Sequence, residues 1–307
     1  RGLDERLSEP LPIGTSAGPL SEAWCRKTGI IGRPEVAVAI IDSHVAMPAL
    51  GVVESGSMMG ALGTSAVFLL LDKTARPLPK GIEGTAYSAA IPDAWCYEAG
   101  QASFGDLLAW FINAFPRSGN VKDDFAYYDR AAALRSLGAG HVLALDWWNG
   151  CRVPFGDSTL SGLLVGMNMR TTAVDIYRAL MESICFGART IVDLLASSGS
   201  PIERVVLTGG LAQKNDVLMQ MLADILGCSL EIPRLTHPTA IGAAIHGAVA
   251  AGIVANYSDG AGRFGATDYR VVEPTTGVFP IYDERYRRYR EMSDNRSVRD
   301  VMHALGK

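Results

Sequence analysis

The sequence predicts an α/β domain in which helices cover a β-sheet, and three observations support this prediction. Short apolar runs rich in β-branched residues alternate with longer segments of helical periodicity. Gly, Pro and Asn residues mark the boundaries between these segments. The chain has 307 residues, of which 48% are hydrophobic, so it is long enough for one large or two ordinary domains with a real core.

The composition excludes several classes of protein. The hydrophobic fraction is too high for a disordered chain, and a net charge of −4 argues against a nucleic-acid partner. The most apolar run, residues 36–53, is interrupted by Asp42, His44 and Pro48, so we expect no membrane span and no membrane partner. The five cysteines form no CxxC pair, which favours free thiols in a reducing cytoplasm over a disulfide framework or a metal site.

The first part of the chain is predicted to form strands. Residues 36–41 are a β-branched apolar run that ends at Asp42, which is typical of a buried strand. Residues 57–62 and 66–71 are also apolar and are separated by Gly63-Thr64-Ser65. We therefore expect a hairpin with these three residues at its tip.

Residues 172–198 form the clearest predicted helix. Thr172 and Asp175 have the spacing of a capping box, with Asp in place of the usual Glu or Gln. Apolar residues at helical spacing follow, and Gly199 can end the helix in the left-handed conformation. A second helical stripe covers residues 103–115.

The remaining elements alternate between strand and helix. After a strand at residues 204–207, Gly209-Gly210 forms a turn, and Asn215 is placed to cap a helix that ends near Gly227. The other predicted elements are strands at 142–145 and 229–232, a small-residue helix at 239–251 and one exposed terminal helix around 282–289. This order is typical of an α/β domain with a covered sheet.

Two glycine-containing turns are candidates for ligand contacts. Gly209 and Gly210 follow a strand at its carboxyl end, where ligands of open α/β sheets bind and where a missing Cβ lets a ligand approach the backbone. Gly63, Thr64 and Ser65 offer N–H and hydroxyl donors that suit phosphate oxygens. Each pattern is also typical of an ordinary turn, so neither is specific by itself.

Several polar residues are further candidates. Asp42 ends an apolar run, where a carboxylate is costly to bury without a partner or a function, although a helix cap or an ion pair would also explain it. Glu98 and Gln101 precede a predicted helix and fit either caps or groups that face a cleft. Residues 146–150 contain two adjacent tryptophans that cannot both face one core, so one should line a surface or a site. We interpret His44 as a packed or capping residue.

Together these motifs resemble the carboxyl-terminal part of the FGGY carbohydrate kinases, from Gly29 to the end of the chain. Residues 160–182 resemble the family's carboxyl-terminal signature, residues 208–224 resemble its adenosine motif, and Gly63-Thr64-Ser65 falls at its second phosphate motif. Within the family, five stretches are most similar to the L-ribulose kinases: residues 42–44, 97–101, 104–106, 146–150 and 242–244. Cys151 departs from the pattern, because this loop position before Arg152 is usually polar.

The resemblance implies an actin-like ATPase (ribonuclease H-like) lobe, a mixed sheet flanked by helices, with a remnant of a second lobe. Residues 1–46 would be the tail of the amino-terminal lobe, ending at the catalytic strand. Residues 47–307 would be the carboxyl-terminal nucleotide-binding lobe with its terminal helix. Because the family's first phosphate motif is missing and the chain begins at Arg1, we expect a piece of a longer protein that has no useful kinase activity alone.

The resemblance also implies ATP-dependent phosphorylation of a pentulose, L-ribulose to L-ribulose 5-phosphate, as in L-arabinose catabolism. The implied site residues are Asp42 as general base, Glu98 as a sugar ligand, Gly63, Thr64 and Ser65 at the β- and γ-phosphates, and Gly209, Gly210 and Asn215 at the nucleotide. Aspartate is ordinarily ionised at neutral pH, as a base must be. Mg²⁺ would bridge the phosphates while keeping most of its water, and the implied partners are ATP, the sugar and a second copy of the chain in a homodimer.

Two alternatives remain at this point. One is another FGGY kinase that acts on xylulose, ribitol or erythritol, against which only Glu98 and residues 146–150 argue. The other is an actin-like ATP-binding regulator without sugar chemistry. Asp42 and residues 97–101 favour a kinase, since a switch that only binds ATP needs neither.

Overall fold

The computed structural model describes residues 2, 6, 11–135, 137 and 140–306, so Arg1 lies outside the described residues. The strands are β1 (Ser16–Pro19), β2 (Glu35–Ala37), β3 (Ser57–Leu62), β4 (Ala66–Asp72), β5 (Gly84–Tyr87), β6 (Trp95–Gln101), β7 (Leu143–Leu145), β8 (Leu163–Val165), β9 (Arg204–Thr208), β10 (Leu230–Pro233) and β11 (Tyr269–Val272). Seven strands form the central sheet in the order β11-β10-β9-β3-β4-β6-β5. The β10, β9 and β3 strands are parallel and the other neighbours are antiparallel, which confirms the mixed sheet.

Helices flank both faces of this sheet. They are α1 (Glu22–Thr28), α2 (Asp42–Val45), α3 (Gly105–Ala114), α4 (Val121–Ala133), α5 (Ala173–Ser197), α6 (Gly210–Lys214), α7 (Asp216–Leu226), α8 (Pro238–Ala250), α9 (Tyr257–Phe264), α10 (Phe279–Asp294) and α11 (Arg296–Leu305). A 3₁₀ turn, Pro48–Leu50, follows α2. Within the described part of the chain, no helix combines the length and apolarity that a bilayer crossing requires.

The helix boundaries follow the capping signals in the sequence. The Thr172 N–H donates to Asp175 Oδ2 at 2.8 Å and the Asp175 N–H donates to Thr172 Oγ1 at 3.3 Å, which confirms the capping box of α5. Asn215 accepts from the Leu218 N–H at 2.9 Å as N-cap of α7. Gly227, with φ of 68°, ends α7 in the left-handed conformation.

The two faces of the central sheet are covered differently. One face, which we call the closed face, packs Met58, Phe68 and Tyr97 against α3, α4, α5, α7 and α10 in one large core. The other, which we call the half-open face, packs Met59 and Leu69 against α2, the 3₁₀ turn, α8 and α9 in a smaller core. Alternate residues of each strand belong to opposite faces, as the pleat requires.

The predicted buried strand at residues 36–41 was wrong in both extent and burial. The β2 strand ends at Ala37 and pairs only with β1, while Val36 is 42% exposed and Ile41 is 60% exposed. An apolar run becomes a buried strand only where other layers cover both of its faces, and here α8 contacts β2 while Val36 and Ile41 stay exposed. As a result, Asp42 begins α2 instead of ending a strand.

The prediction of one exposed terminal helix was also wrong. The chain ends in two helices, α10 and α11, and in α10 the side chains of Tyr282, Tyr286 and Tyr289 are at most 5% exposed. These tyrosines recur at helical spacing and form a stripe that packs in the core of the closed face. Arg287 and Arg288, which lie between the last two of these tyrosines, are each 62% exposed and concealed this stripe.

Candidate functional site

The helices on the half-open face leave the carboxyl ends of β3 and β9 uncovered. Strand register defines two rows across four neighbouring strands: an inner row of Val206, Met59, Leu69 and Glu98, and an outer row of Thr208, Ala61, Val67 and Gly100. The apolar members of the inner row are at most 1% exposed, whereas Thr208, Ala61 and Val67 are partly exposed. The outer row is therefore the floor of an open cleft, and we call it the cleft floor.

Both predicted glycine turns border the cleft floor. Residues 63–65 join β3 to β4, and Gly209-Gly210 follows β9, which lies parallel beside β3. A Cβ at Gly209 would lie 2.3 Å from the Leu62 carbonyl oxygen, and φ there is +100°, so this approach requires glycine. The N–H groups of Phe104 and Gly105 donate to the carbonyls of Thr64 and Gly63 at 3.0 Å, which fixes the first turn against α3.

Glu98 lies in the middle of β6, so its interpretation as a helix cap was wrong. Its side chain is 34% exposed at the edge of the cleft, and its Oε2 atom is 3.8 Å from Nε2 of His44. His44 is buried, as predicted for a packed residue, and its Nδ1 is 3.2 Å from the Ser43 hydroxyl. Burial lowers the pKa of His44 although Glu98 and Asp42 oppose this effect, which favours a neutral imidazole.

Asp42 is exposed in the first turn of α2, two residues before His44. Its Oδ1 accepts from the Ser43 N–H at 2.8 Å, and it lines a cavity of about 460 Å³ between residues 34–40 and α8. Among the described residues, no ion pair engages its carboxylate. Asp42 and Glu98 both oppose the lowering of the His44 pKa, so both carboxylates lie near this imidazole.

A close backbone contact holds α2 in place. A Cβ at Gly242 in α8 would lie 1.9 Å from the carbonyl oxygen of Val45, which is the last residue of α2. The two helices can approach this closely only because position 242 lacks a side chain. The helix that carries Asp42 is therefore fixed by α8.

Gln101 and Asp146 belong to the closed face and not to the cleft. Asp146 is 4% exposed and accepts from the Tyr289 hydroxyl and from Gln101 Nε2, both at 2.6 Å. Burial raises the pKa of Asp146 to about 6, against the lowering effect of these hydrogen bonds. This pair joins β6 to α10 in the core and has a structural role.

The two adjacent tryptophans separate as predicted. Trp147 is 2% exposed in the core of the closed face, while Trp148 is only partly buried and lies 5.4 Å from the ring of Trp110. Asn149, which follows them, is exposed and donates to Asp106 at the start of α3. This segment is therefore linked through Asp106 to the start of α3, which contacts the turn at residues 63–65.

Asn215 does not lie on the cleft floor. It is 7% exposed, and both ends of its amide are engaged, since Oδ1 caps α7 and Nδ2 donates to Asp129 Oδ2 at 3.1 Å. Its predicted contact with the nucleotide stays a prediction.

No role was predicted for Arg152 from the sequence, although the structure places it at the cleft. Its guanidinium occupies the space above Gly100 and pairs with Glu83 at 2.6 Å. The available signal was the glycine two residues after Glu98 in a strand, which indicates a close neighbour on the same face.

The described residues contain no group of three or more His, Cys, Asp or Glu side chains arranged to hold a metal ion. Asp106, the carboxylate beside the turn at residues 63–65, already accepts from the Phe104 N–H and from Asn149. Mg²⁺ therefore stays a prediction, in which phosphate oxygens and water supply most of its ligands.

The chain is similar to known proteins of one family. The model of the FGGY family of carbohydrate kinases, C-terminal domain, matches residues 58–251. A ribulokinase of Bacillus licheniformis is 34% identical over 300 residues, which cover 94% of this chain and 54% of that protein. A ribulokinase of Anoxybacillus flavithermus is 35% identical over an alignment that covers 99% of this chain and 58% of that protein. The chain thus spans little more than half the length of these relatives.

Solved structures share the fold at lower identity. A xylulose kinase from Rhodospirillum rubrum has a TM-score of 0.82 at 21% identity, with 95% of this chain and 57% of that chain covered. A Plasmodium falciparum glycerol kinase with ADP has a TM-score of 0.76 at 18% identity, with 91% and 55% covered. These likenesses confirm the predicted actin-like fold class.

Proposed function

Because this chain belongs to the FGGY family of carbohydrate kinases, we propose that it supplies the nucleotide-binding lobe and the general base of a pentulose kinase. The enzyme would transfer the γ-phosphoryl group of ATP to L-ribulose and form L-ribulose 5-phosphate. One observation carries the proposal: the cleft floor has two glycine turns at one end and the Glu98 carboxylate beside it, and Glu98 lies 3.8 Å from His44 of the helix that carries Asp42.

The glycine turns suit a nucleotide. Gly63, Thr64 and Ser65 are at the exposed end of β3, where N–H and hydroxyl donors can meet the β- and γ-phosphate oxygens. Gly209 and Gly210 border the same floor, so the rest of ATP can lie along the neighbouring strand end without meeting a Cβ. Asn215, which caps the start of α7, would lie near the adenosine.

The two carboxylates suit an alcohol acceptor. Glu98 would accept hydrogen bonds from hydroxyl groups of the sugar, and Asp42 would contact the hydroxyl that reacts. As the hydroxyl oxygen forms its bond to the γ-phosphorus, the bond from that phosphorus to the β–γ bridging oxygen breaks. The hydroxyl proton passes to the Asp42 carboxylate, and ADP leaves with the electron pair.

Positioning and exclusion of water would supply most of the rate enhancement. When bound to the phosphates, Mg²⁺ neutralises part of their charge. In the domain assignment that we propose, residues 1–46 end the amino-terminal lobe and residues 47–307 form the lobe that holds these turns.

The names of the relatives favour ribulose over the other sugars, since the ribulokinases of Bacillus licheniformis and Anoxybacillus flavithermus are about one third identical to this chain. The regulator without sugar chemistry stays the second candidate. It would use the glycine turns and would need neither Asp42 nor Glu98.

The decisive variant is Asp42→Asn in a full-length protein that carries this chain with the amino-terminal half of its relatives. Removing the base should lower turnover by at least about 10³-fold, while the dissociation constant for ATP should change by less than about threefold. A coupled ADP-release assay with a panel of pentuloses and pentitols, together with calorimetric ATP titration, measures both quantities.

Asp300→Asn is the matched control, because Asp300 is 61% exposed on α11 and should leave both quantities unchanged. Near-normal turnover of Asp42→Asn would rule out the base and favour the regulator. Preference of the wild-type protein for another sugar in the panel would contradict the ribulose assignment alone.

A further inference from the structure

Arg152 lies on the half-open face above Gly100, a strand position that has no side chain of its own. An ideal Cβ built on Gly100 would lie 2.7 Å from Cζ and 2.8 Å from Nη1 of Arg152. Glu98 and Gly100 are two residues apart in β6, so they share a face of the sheet. The guanidinium therefore lies directly above Gly100, on the same side of the sheet as the Glu98 carboxylate.

Two contacts hold Arg152 in this position. Its Nη2 donates to Glu83 Oε2 at 2.6 Å, and the N–H of Glu83 donates to the Glu98 carbonyl at 3.2 Å, which ties this carboxylate to β6. The loop that carries Arg152 packs tightly at Pro154, since a Cβ on Gly81 would lie 2.4 Å from the Pro154 carbonyl oxygen. The guanidinium is thus oriented before any ligand arrives.

The guanidinium of Arg152 has more N–H donors than its hydrogen bond to Glu83 uses. A guanidinium carries five N–H groups, and the hydrogen bond that the structure gives to this one engages Nη2 with Glu83. The side chain is 43% exposed, so its other N–H groups remain accessible to a ligand. An ion pair this exposed contributes little to folding, so stability alone does not require an arginine here.

The position of Arg152 along the sheet lies between the two ends of the proposed reaction. Gly100 pairs with Val67 on the cleft floor, and the next residue, Gln101, pairs with Ala66 beside the turn at residues 63–65. At about 3.3 Å per residue, Gly100 is therefore about 7 Å from Glu98 on the sugar side and about as far from the phosphate turn. A phosphoryl group that moves from ATP to the sugar passes next to this guanidinium.

Charge also favours an arginine at this point. Glu83 and Glu98 bring two carboxylates to this edge of the sheet, and the phosphoryl group in transit is itself anionic. Guanidinium groups bind phosphate oxygens through two parallel N–H donors and stabilise the charge of phosphoryl-transfer transition states.

On these grounds we propose that Arg152 is a further substrate-contacting residue, whose free N–H groups bind the oxygens of the transferring phosphoryl group and then of the phosphorylated product. The proposal rests on the kinase function proposed above. Glu83 is a positioning residue that acts through Arg152.

The test is Arg152→Gln and Arg152→Lys in the full-length protein, measured on whichever sugar the wild-type protein accepts. We expect Arg152→Gln to lower kcat by about 10²–10³-fold while KM for sugar and ATP changes less than about threefold, because the contact forms mainly in the transition state. Arg152→Lys keeps the charge but not the paired donors, so its kcat should lie between those of Arg152→Gln and the wild-type protein. The midpoint of urea unfolding should not change.

A second readout does not depend on turnover. Titration with inorganic phosphate, followed by ³¹P NMR, should show a dissociation constant about tenfold higher for Arg152→Gln than for the wild-type protein. Arg287→Gln is the control, because Arg287 is 62% exposed on α10 at the closed face and should change neither quantity.

Unchanged kcat or unchanged phosphate affinity in Arg152→Gln would overturn the proposal, as would a loss confined to the KM of the sugar. A wild-type protein that phosphorylates no sugar contradicts the kinase function, and the phosphate titration then decides the role of Arg152 independently.

Discussion

The two faces of the central sheet are built from the same strands, yet they use polar residues in opposite ways. On the closed face, two buried carboxylates have both oxygens engaged: Glu182 lies between Arg178 and Arg285, and Asp146 lies between Gln101 and Tyr289. On the half-open face, Asp42 and Glu98 keep accessible carboxylate surface and Arg152 keeps accessible N–H groups.

Strand alternation places residues that stabilise the fold on one face of the sheet and the residues proposed to contact ligands on the other. Tyr97 and Glu98 are adjacent in β6, but one fills the closed core and the other borders the cleft. Substitutions on the closed face should therefore change the free energy of unfolding, and substitutions at the cleft floor should change activity. The predictions below test this separation.

The largest expected effect on stability is at Glu182, which is 2% exposed. Its Oε1 accepts from Arg178 Nε at 3.0 Å and its Oε2 accepts from Arg285 Nε at 2.8 Å. Glu182→Gln would leave two arginines without a buried counter-charge, so we expect the free energy of unfolding to fall by about 3–5 kcal/mol. Urea unfolding followed by circular dichroism measures this change.

Glu284→Gln is the matched control for Glu182, because Glu284 is 45% exposed on α10 and pairs with Arg288 at 3.2 Å. An exposed pair should contribute at most about 1 kcal/mol. Equal destabilisation by both variants would contradict the engaged network that distinguishes the closed face.

Gly242→Ala should have a smaller effect on stability but should affect both properties. The added Cβ would meet the Val45 carbonyl oxygen at 1.9 Å, so α2 must move away from α8 and carry Asp42 with it. We expect a loss of about 1–3 kcal/mol in the free energy of unfolding and a drop in kcat. Urea unfolding and the ADP-release assay measure the two effects.

Gly247→Ala in the same helix provides the control, since nothing lies within 4 Å of the added Cβ. Alanine should there stabilise α8 by about 0.5–1 kcal/mol without changing kcat. If Gly242→Ala behaved in the same way, α2 would not depend on its contact with α8.

The smallest effect that we predict is a dependence of stability on pH. His246 is 2% exposed, its Nδ1 is 2.6 Å from the Tyr257 hydroxyl, and burial lowers its pKa to about 4. Because the ordinary histidine pKa is about 6.5, protonation favours the unfolded chain. The stabilisation that neutral His246 provides is complete above pH 6.5 and is lost as the pH falls through 4.

Asp146 on the closed face should have the opposite dependence. Its pKa is raised to about 6, so the folded state binds the proton more tightly and stability falls as the pH rises from about 4 to 6. The two contributions partly cancel in the wild-type protein. His246→Phe should remove one of them and so lower the slope of the unfolding free energy against pH between 4 and 6.5.

His141→Gln is the control for this titration, because His141 is exposed. Thermal unfolding at a series of pH values measures the slopes of both variants and the wild-type protein. If the slope of His246→Phe were identical to that of the wild-type protein, the pKa of His246 would not differ between the folded and unfolded states.

Local signals in the sequence predicted most of the individual elements. The β3–β4 hairpin, the capping box of α5 and the Asn215 cap of α7 were all found where expected. These features depend on residues within a few positions of one another, so the short-range physics of turns and caps is sufficient. The glycine turns could be assigned to strand ends for the same reason.

Burial was predicted less well, because it depends on distant segments. Residues 36–41 have the composition of a buried strand, but only β1 pairs with β2. The tyrosines of α10 have a polar context, but α5 and α7 supply an apolar surface for them. Gln101 and Asp146 were candidates for a site, and only the packing of α10 shows that they are core residues.

The sequence by itself determined the family, the order of the elements and the identity of both glycine turns, because motifs and caps are encoded in neighbouring residues. Only the tertiary structure decided which face each strand residue uses, that Glu98 approaches His44, and that Arg152 lies above Gly100. The physical reason is that periodicity tells which side chains share a face, whereas the segments that cover that face, or leave it open, come from elsewhere in the chain.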